Sequence, residues 1–231
     1  MSSRLAFVRH GAYAQRPDTP SALQPFGLTA EGEAEVRQQA RQFALWLEQT
    51  QQQLDPEIDS STLLRAWQTA QIYAEELAPF FTVTPEVQTF PALCERSVGA
   101  VANLTIAEIE AAIAADPRFD MPPTGWKSDS FYRLPFDGAE SLMDAGMRVA
   151  AHILSWQSQT KATENGAIKL FVGHGASIRH AACHLNVIKF CDIKRFSMHY
   201  GHPIVFDMVE AGVPQKLYGD WKHRQLRDAP D

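Results

Sequence analysis

The sequence predicts an α/β fold in which a mainly parallel sheet is covered by helices on both faces. Two short apolar runs, Leu5–Val8 and Ile168–Val172, are too brief for helices and read as buried strands. Stretches with helical spacing alternate with weaker strand signals, the pattern of βα units. The chain has 231 residues, 45% hydrophobic and 21% charged, which suits one compact globular domain over 1–231.

Leu5–Val8 leaves no room for a helix before Gly11. Residues 12 to 27 hold three prolines, Gly27 and few apolar side chains, and read as a loop. Thr29 caps a helix with Glu31 in its first turn. Val36, Ala40, Phe43 and Leu47 follow at i, i+4, i+7 and i+11, one face packed on a core. Pro56 ends that element, and Glu57–Ser60 is a weak strand. A helix from about Leu64 to Leu77 stops at Pro79, and Phe81–Val83 is the next strand. Residues 85 to 104 form a loop, and Ile106–Ala115 a short helix. Residues 116 to 138, with four prolines and two glycines, make an irregular excursion over the surface. A long helix from about Glu140 carries Leu142, Gly146, Val149, Ile153 and Trp156 on one stripe. After Ile168–Val172 comes a helix to about Val187. Pro203–Met208 and Gln215–Tyr218 form a closing hairpin, and Asp220–Asp231 a frayed polar tail.

Composition narrows the function. The net charge of −6, from 21 basic and 27 acidic residues, is the wrong sign for a nucleic-acid binder. No apolar run reaches the roughly 18 residues of a membrane span, and the first residues lack a signal peptide's apolar core. Three cysteines without C-x-x-C spacing point to a reducing cytoplasm, with Cys183 and Cys191 read as small buried hydrophobes. The expectation is a cytoplasmic protein with a small polar ligand and no nucleic-acid or membrane partner.

The chemistry gathers at two matched places. Each apolar strand ends in a glycine-flanked histidine: Arg9-His10-Gly11 and Gly173-His174-Gly175. In open α/β sheets ligands bind outside the carboxyl ends of strands, so both histidines face one rim. A lone histidine there is more often a hydrogen-bonded structural residue; two in matched settings favour function. Gly11 and Gly175 would let a ligand approach the backbone N–H groups. Arg9 adds a cation beside His10, and Arg65, at a strand-to-helix junction, adds another on the same rim. Alone, Arg65 would read as an exposed helix residue. Two guanidinium forks and two imidazoles around one point suit a tetrahedral dianion. The same cations disfavour a further positive charge, and a nucleophilic imidazole must be neutral.

With these residues placed, the chain resembles the histidine phosphatase superfamily, which includes the cofactor-dependent phosphoglycerate mutases. Arg9-His10-Gly11, the segment from Ser61 to Ala70 and Gly173-His174-Gly175 occur in the family's order. So do Leu28-Thr29-x-x-Gly32, Gly138-Ala139-Glu140-Ser141 and Gly201-His202-Pro203. The resemblance implies a doubly wound, phosphoglycerate mutase-like domain in which His10 accepts the phosphoryl group while Arg9, Arg65 and His174 hold it. It also nominates a general acid, Glu95, in a segment like the mutase Glu-Arg-x-x-Gly. A leaving alkoxide needs a proton, and a bound phosphate dianion favours a protonated neighbour. The plainer reading pairs Glu95 with Arg96. Glu140 competes for the acid role, but its place at a helix start already explains it.

The sequence departs from the mutase pattern after the nucleophile: Glu-Ser-x-x-x-Asn is typical there, and this chain continues from Gly11 with Ala12, Tyr13, Ala14, Gln15 and Arg16. The mutase basic pair after a tryptophan is reduced to Lys127, with Asp129 nearby. Arg16, Arg96, Lys127 and Arg133 are the candidate substrate contacts. His180 and His184 have the i, i+4 spacing of a zinc motif but lack its glutamate, so helix packing is the reading and no metal or other cofactor is expected. The expected function is hydrolysis of a small phosphorylated metabolite through phosphohistidine. A phosphoglycerate mutase is the first alternative, and a module that binds phosphoryl ligands without turnover the second.

Overall fold

The computed structural model describes residues 2–20, 22–159, 166–209 and 212–224. Its elements are β1 (Ser2–Arg9), α1 (Ala30–Gln49), β2 (Leu54–Ser61), α2 (Leu64–Glu76), β3 (Glu86–Phe90), α3 (Ile106–Ala115), α4 (Leu142–Gln159), β4 (Ile168–Gly173), α5 (Gly175–His184), β5 (Phe196–Ser197), β6 (Pro203–Val209), β7 (Gln215–Tyr218) and β8 (Lys222–His223). The main sheet runs β3-β2-β4-β1-β6-β7. The first four strands are mutually parallel, and β6 joins β1 antiparallel.

Alternation along β1 splits the core. Ala6 and Val8 pack with Val36, Ala40, Phe43 and Leu47 of α1 and with Ala66, Ala70 and Tyr73 of α2. Leu5 and Phe7 face Val149 and Ile153 of α4 and Ile178 and Ala181 of α5. Successive strand residues point to opposite faces, so a single apolar strand feeds both layers. Thr29 caps α1 by accepting the Gly32 N–H, and Ser141 and Asp144 exchange hydrogen bonds at the start of α4.

Several expectations are corrected. Pro56 lies inside β2, where the register with β4 shifts between Leu54 and Ile58; an irregularity is where a strand tolerates a residue without N–H. Phe81–Val83 is no strand: Phe81 makes one isolated bridge to Leu54, and β3 begins at Glu86. Helix α5 ends at His184, three residues early, with Asn186 at φ 57° beyond it. Cys183 is half-buried and Cys191 exposed, not buried. The excursion over 116–138 is more than surface: Trp126 and Leu134 pack with Ile109 and Ile113 of α3, Val98 and Ala22 in a separate small core. Within the tail, Lys222–His223 pairs with Phe196–Ser197, while residues 225–231 lie outside the described part. No described helix is long and apolar enough to cross a membrane.

Candidate active site

Strand register builds the site. In the β1–β4 pair Arg9 stands opposite Gly173, so the next residues on each strand, His10 and His174, emerge side by side. The His10 N–H donates to the Gly173 carbonyl (3.0 Å), and the two rings meet edge-on with centroids 5.0 Å apart. Both side chains are buried.

Arg65, fully buried in the first turn of α2, ties the two together. Its Nε lies 3.2 Å from His10 Nε2 and its Nη2 3.2 Å from His174 Nδ1. The remaining N–H groups donate to carbonyl oxygens of the 12–27 loop, at Gln24 (2.8 Å) and Ala22 (3.4 Å). Burial pulls the guanidinium below its ordinary value, with Tyr13 and Glu95 opposing.

These contacts fix both tautomers. Arginine only donates, so His10 Nε2 and His174 Nδ1 present lone pairs to it. His10 carries its proton on Nδ1, 2.7 Å from the Gly11 carbonyl, and Nε2 keeps its lone pair. His174 carries its proton on Nε2 and donates to Ser61 Oγ (2.8 Å), which in turn donates to Cys94 Sγ. Burial, then the charge of Arg65, holds His174 well below the usual imidazole range, so it is neutral at working pH.

Arg9 completes the cationic side. Its Nη1 donates to the Met198 carbonyl (2.9 Å), and the guanidinium lies 4.2 Å above the Tyr200 ring. A side chain at position 175 would meet that guanidinium at about 3.1–3.2 Å, so Gly175 clears the path of Arg9. Gly11 has a different reason from the one expected. A Cβ there would stand 2.5 Å from Val36 Cγ2, and the Gly11 N–H already donates to Thr69 Oγ1.

Glu95 is buried at the N-terminus of α5. Its Oε1 accepts the N–H groups of Arg96 (2.8 Å) and Ser177 (3.1 Å), and Oε2 that of Ala176 (3.3 Å). The first-turn N–H groups of Ala176 and Ser177, just after Gly175, therefore serve a carboxylate, the charge a helix N-terminus favours. Glu140 takes no such place. Arg148 grips it bidentately (2.8 and 2.7 Å), and it accepts the Ser97 N–H. Burial raises the Glu140 carboxyl, but Arg148 and Ser97 outweigh it and leave a net lowering.

The candidate substrate contacts divide. Arg96 and Lys127 line a small open cleft with Glu95, Pro20, Ala22, Leu142 and Ala176. Arg133 turns to Asp144 at the start of α4, and Arg16 reaches the Asn103 carbonyl. Asp129 accepts the N–H groups of Phe131 and Tyr132. His180 and His184 bond to Ser130 and to the Met143 carbonyl. Among the described residues no cluster could hold a metal ion.

Three residues escaped the sequence reading. Tyr200 stacks on Arg9 with its ring 6.0 Å from that of His10. Ser61, quoted only as part of a motif, orients His174. Arg148 clamps the carbonyls of Ala92, Cys94 and Glu95, and so holds the segment bearing the carboxylate. Only the motif order hinted at Ser61; nothing local marked the others.

Comparison with known proteins places this geometry. No curated protein sequence matches the chain. The chain is similar to a mycobacterial glucosyl-3-phosphoglycerate phosphatase at 23% identity, with 90% of this chain and 91% of that one covered and a TM-score of 0.64. That protein has also been solved in complexes with VO3 and with inorganic phosphate. A phosphoserine phosphatase from Entamoeba histolytica, in complex with 3-phosphoglyceric acid, is 22% identical over 96% of this chain and 98% of its own, with a TM-score of 0.63. At these identities the likeness is one of fold. The family itself is shown by a model matching residues 5–220, and the chain belongs to the histidine phosphatase superfamily, branch 1.

Proposed function

We propose that the protein hydrolyses a small phosphorylated metabolite through a phosphohistidine at His10. The observation that carries this reading is the Nε2 lone pair of His10, held by the Gly11 carbonyl on the far nitrogen and faced by the Arg65 guanidinium. His10 Nε2 attacks phosphorus and the bond to the leaving oxygen breaks. Arg65 and Arg9 meet the charge on the phosphoryl oxygens, His174 holding Arg65 in place. Glu95 gives a proton to the leaving oxygen, then takes one from a water that attacks phosphorus. The N–P bond breaks, phosphate leaves and the lone pair returns. Structural relatives named as phosphatases support hydrolysis as the outcome.

The cleft beside Glu95, with Arg96 and Lys127 in its wall, suits a leaving group that is small and polar. The same two cations favour the second reading, a phosphoglycerate mutase. Rapid quenching with a 32P-labelled phosphomonoester tests the mechanism. We expect acid-labile label on His10 in the native protein and none in His10→Ala; equal labelling of both would refute it.

A further inference from the structure

Tyr13 lies beside the nucleophile, 8% exposed, with a hydroxyl that has no hydrogen-bond partner among the described residues. The rest of the side chain is accounted for. Its ring meets His10 edge-on, centroids 5.3 Å apart at 83°, and the Arg65 guanidinium sits 4.4 Å above its face. The backbone that carries the ring is tied down on both sides. Tyr13 pairs with Leu28 in an antiparallel bridge, the Ala14 N–H donates to the Gly27 carbonyl, and the Thr29 N–H to that of Ala12.

A buried hydroxyl left unpaired costs folding free energy, and such groups are rare unless something else uses them. The charges that act on this one are Arg65, Glu95 and Arg9, with Tyr200 alongside, all members of the site. We infer that the Tyr13 hydroxyl is a catalytic donor to an oxygen of the transferring phosphoryl group, alongside Arg9 and Arg65. The inference rests on the phosphatase reading. Burial pushes the phenol up to about 12, against the pull of Arg65, so it keeps its proton and stays a donor at every working pH. A neutral donor fixed in a water-poor site stabilises developing charge without reorganising.

Tyr13→Phe removes the hydroxyl and keeps the ring contacts to His10 and Arg65. On p-nitrophenyl phosphate its kcat/KM should fall about 10- to 100-fold, as for loss of a hydrogen bond to a charged group. Orthovanadate inhibition should weaken at least about tenfold. The melting temperature should hold or rise, because an unpaired group has left the interior. Unchanged kcat/KM and vanadate inhibition would overturn the inference. So would a lower melting temperature with unchanged kcat/KM, which would make the hydroxyl structural. If the native protein hydrolyses no phosphomonoester, the phosphatase reading fails and calorimetry with inorganic phosphate decides for Tyr13. Weaker binding by Tyr13→Phe supports the donor, and equal binding overturns it.

Discussion

Arg65 donates its Nε–H to His10 Nε2 across 3.2 Å, so the guanidinium faces the lone pair that the proposed phosphohistidine would use. On the proposed reading, substrate binding trades that contact for one between Arg65 and a phosphoryl oxygen, with charge stabilisation at the point of attack. His10→Ala should abolish turnover, since no neighbouring side chain replaces the nucleophile. Arg65→Ala should lose about 2–4 kcal/mol of transition-state stabilisation, read from kcat/KM. Arg65→Lys should recover little, because one ammonium cannot reach both imidazoles and the Gln24 carbonyl. A lysine variant near native rates would show that only charge matters.

The two carboxylates separate by their partners. Glu95→Gln should slow alkyl phosphates far more than p-nitrophenyl phosphate, whose leaving group scarcely needs a proton. Glu140→Gln should act through Arg148, the clamp on the Glu95 segment, lowering stability and slowing both substrates alike. If Glu140→Gln, and not Glu95→Gln, showed the leaving-group dependence, the acid assignment would reverse.

Stability should fall in mild acid because of a histidine outside the site. Burial above all brings the His180 imidazole down to about 4 from 6.5; its bond to the Ala176 carbonyl opposes this. The unfolded chain takes up that proton below about pH 6.5, whereas the folded protein resists until about pH 4. Acid therefore favours unfolding within that window, and the effect is absent above it. Between pH 7.5 and 4.5, native protein should lose about 2–3 kcal/mol more than His180→Asn, measured by urea denaturation. His174, also held low by burial, adds in the same direction to both proteins. Parallel pH profiles for the two proteins would exclude His180 as the cause.

On the proposed reading, charge at phosphorus is met by guanidinium groups, Arg9 and Arg65, whose positions are fixed by carbonyls and tyrosine rings. Activity should then survive EDTA, and vanadate should inhibit by occupying the place of the transferring phosphoryl group. Complete loss in EDTA that a metal ion restores would contradict this.

What the sequence made legible was local. An apolar run ending in a glycine-flanked histidine is readable because strand, turn and helix follow within a few residues, and β1 and β4 formed as expected. Edge strand β3 was misplaced because its exposed Glu86 and Thr89 leave no apolar pattern, while Phe81 and Val83 nearby look more strand-like. Tyr200 and Arg148 were invisible because their partners lie far along the chain: Arg9 in one case, residues 92–95 in the other. Arg16 and Arg133 looked like substrate contacts for the same reason in reverse. Charge is visible in sequence, but the carbonyl or carboxylate that claims it is not.

The outcome of turnover should be hydrolysis and not isomerisation of phosphoglycerates. A mutase must keep water from its phosphoenzyme and grip both anionic ends of the bound intermediate. Of four candidate cations, Arg133 is paired with Asp144 and Arg16 is turned to Asn103, while Arg96 and Lys127 line the cleft. With 3-phosphoglycerate and catalytic bisphosphoglycerate supplied, inorganic phosphate should appear slowly and 2-phosphoglycerate hardly at all. Arg96→Ala or Lys127→Ala should raise KM for phosphomonoesters with anionic leaving groups more than for p-nitrophenyl phosphate. Mutase turnover exceeding phosphatase turnover by orders of magnitude would make the two cleft cations a sufficient grip, and the mutase reading correct.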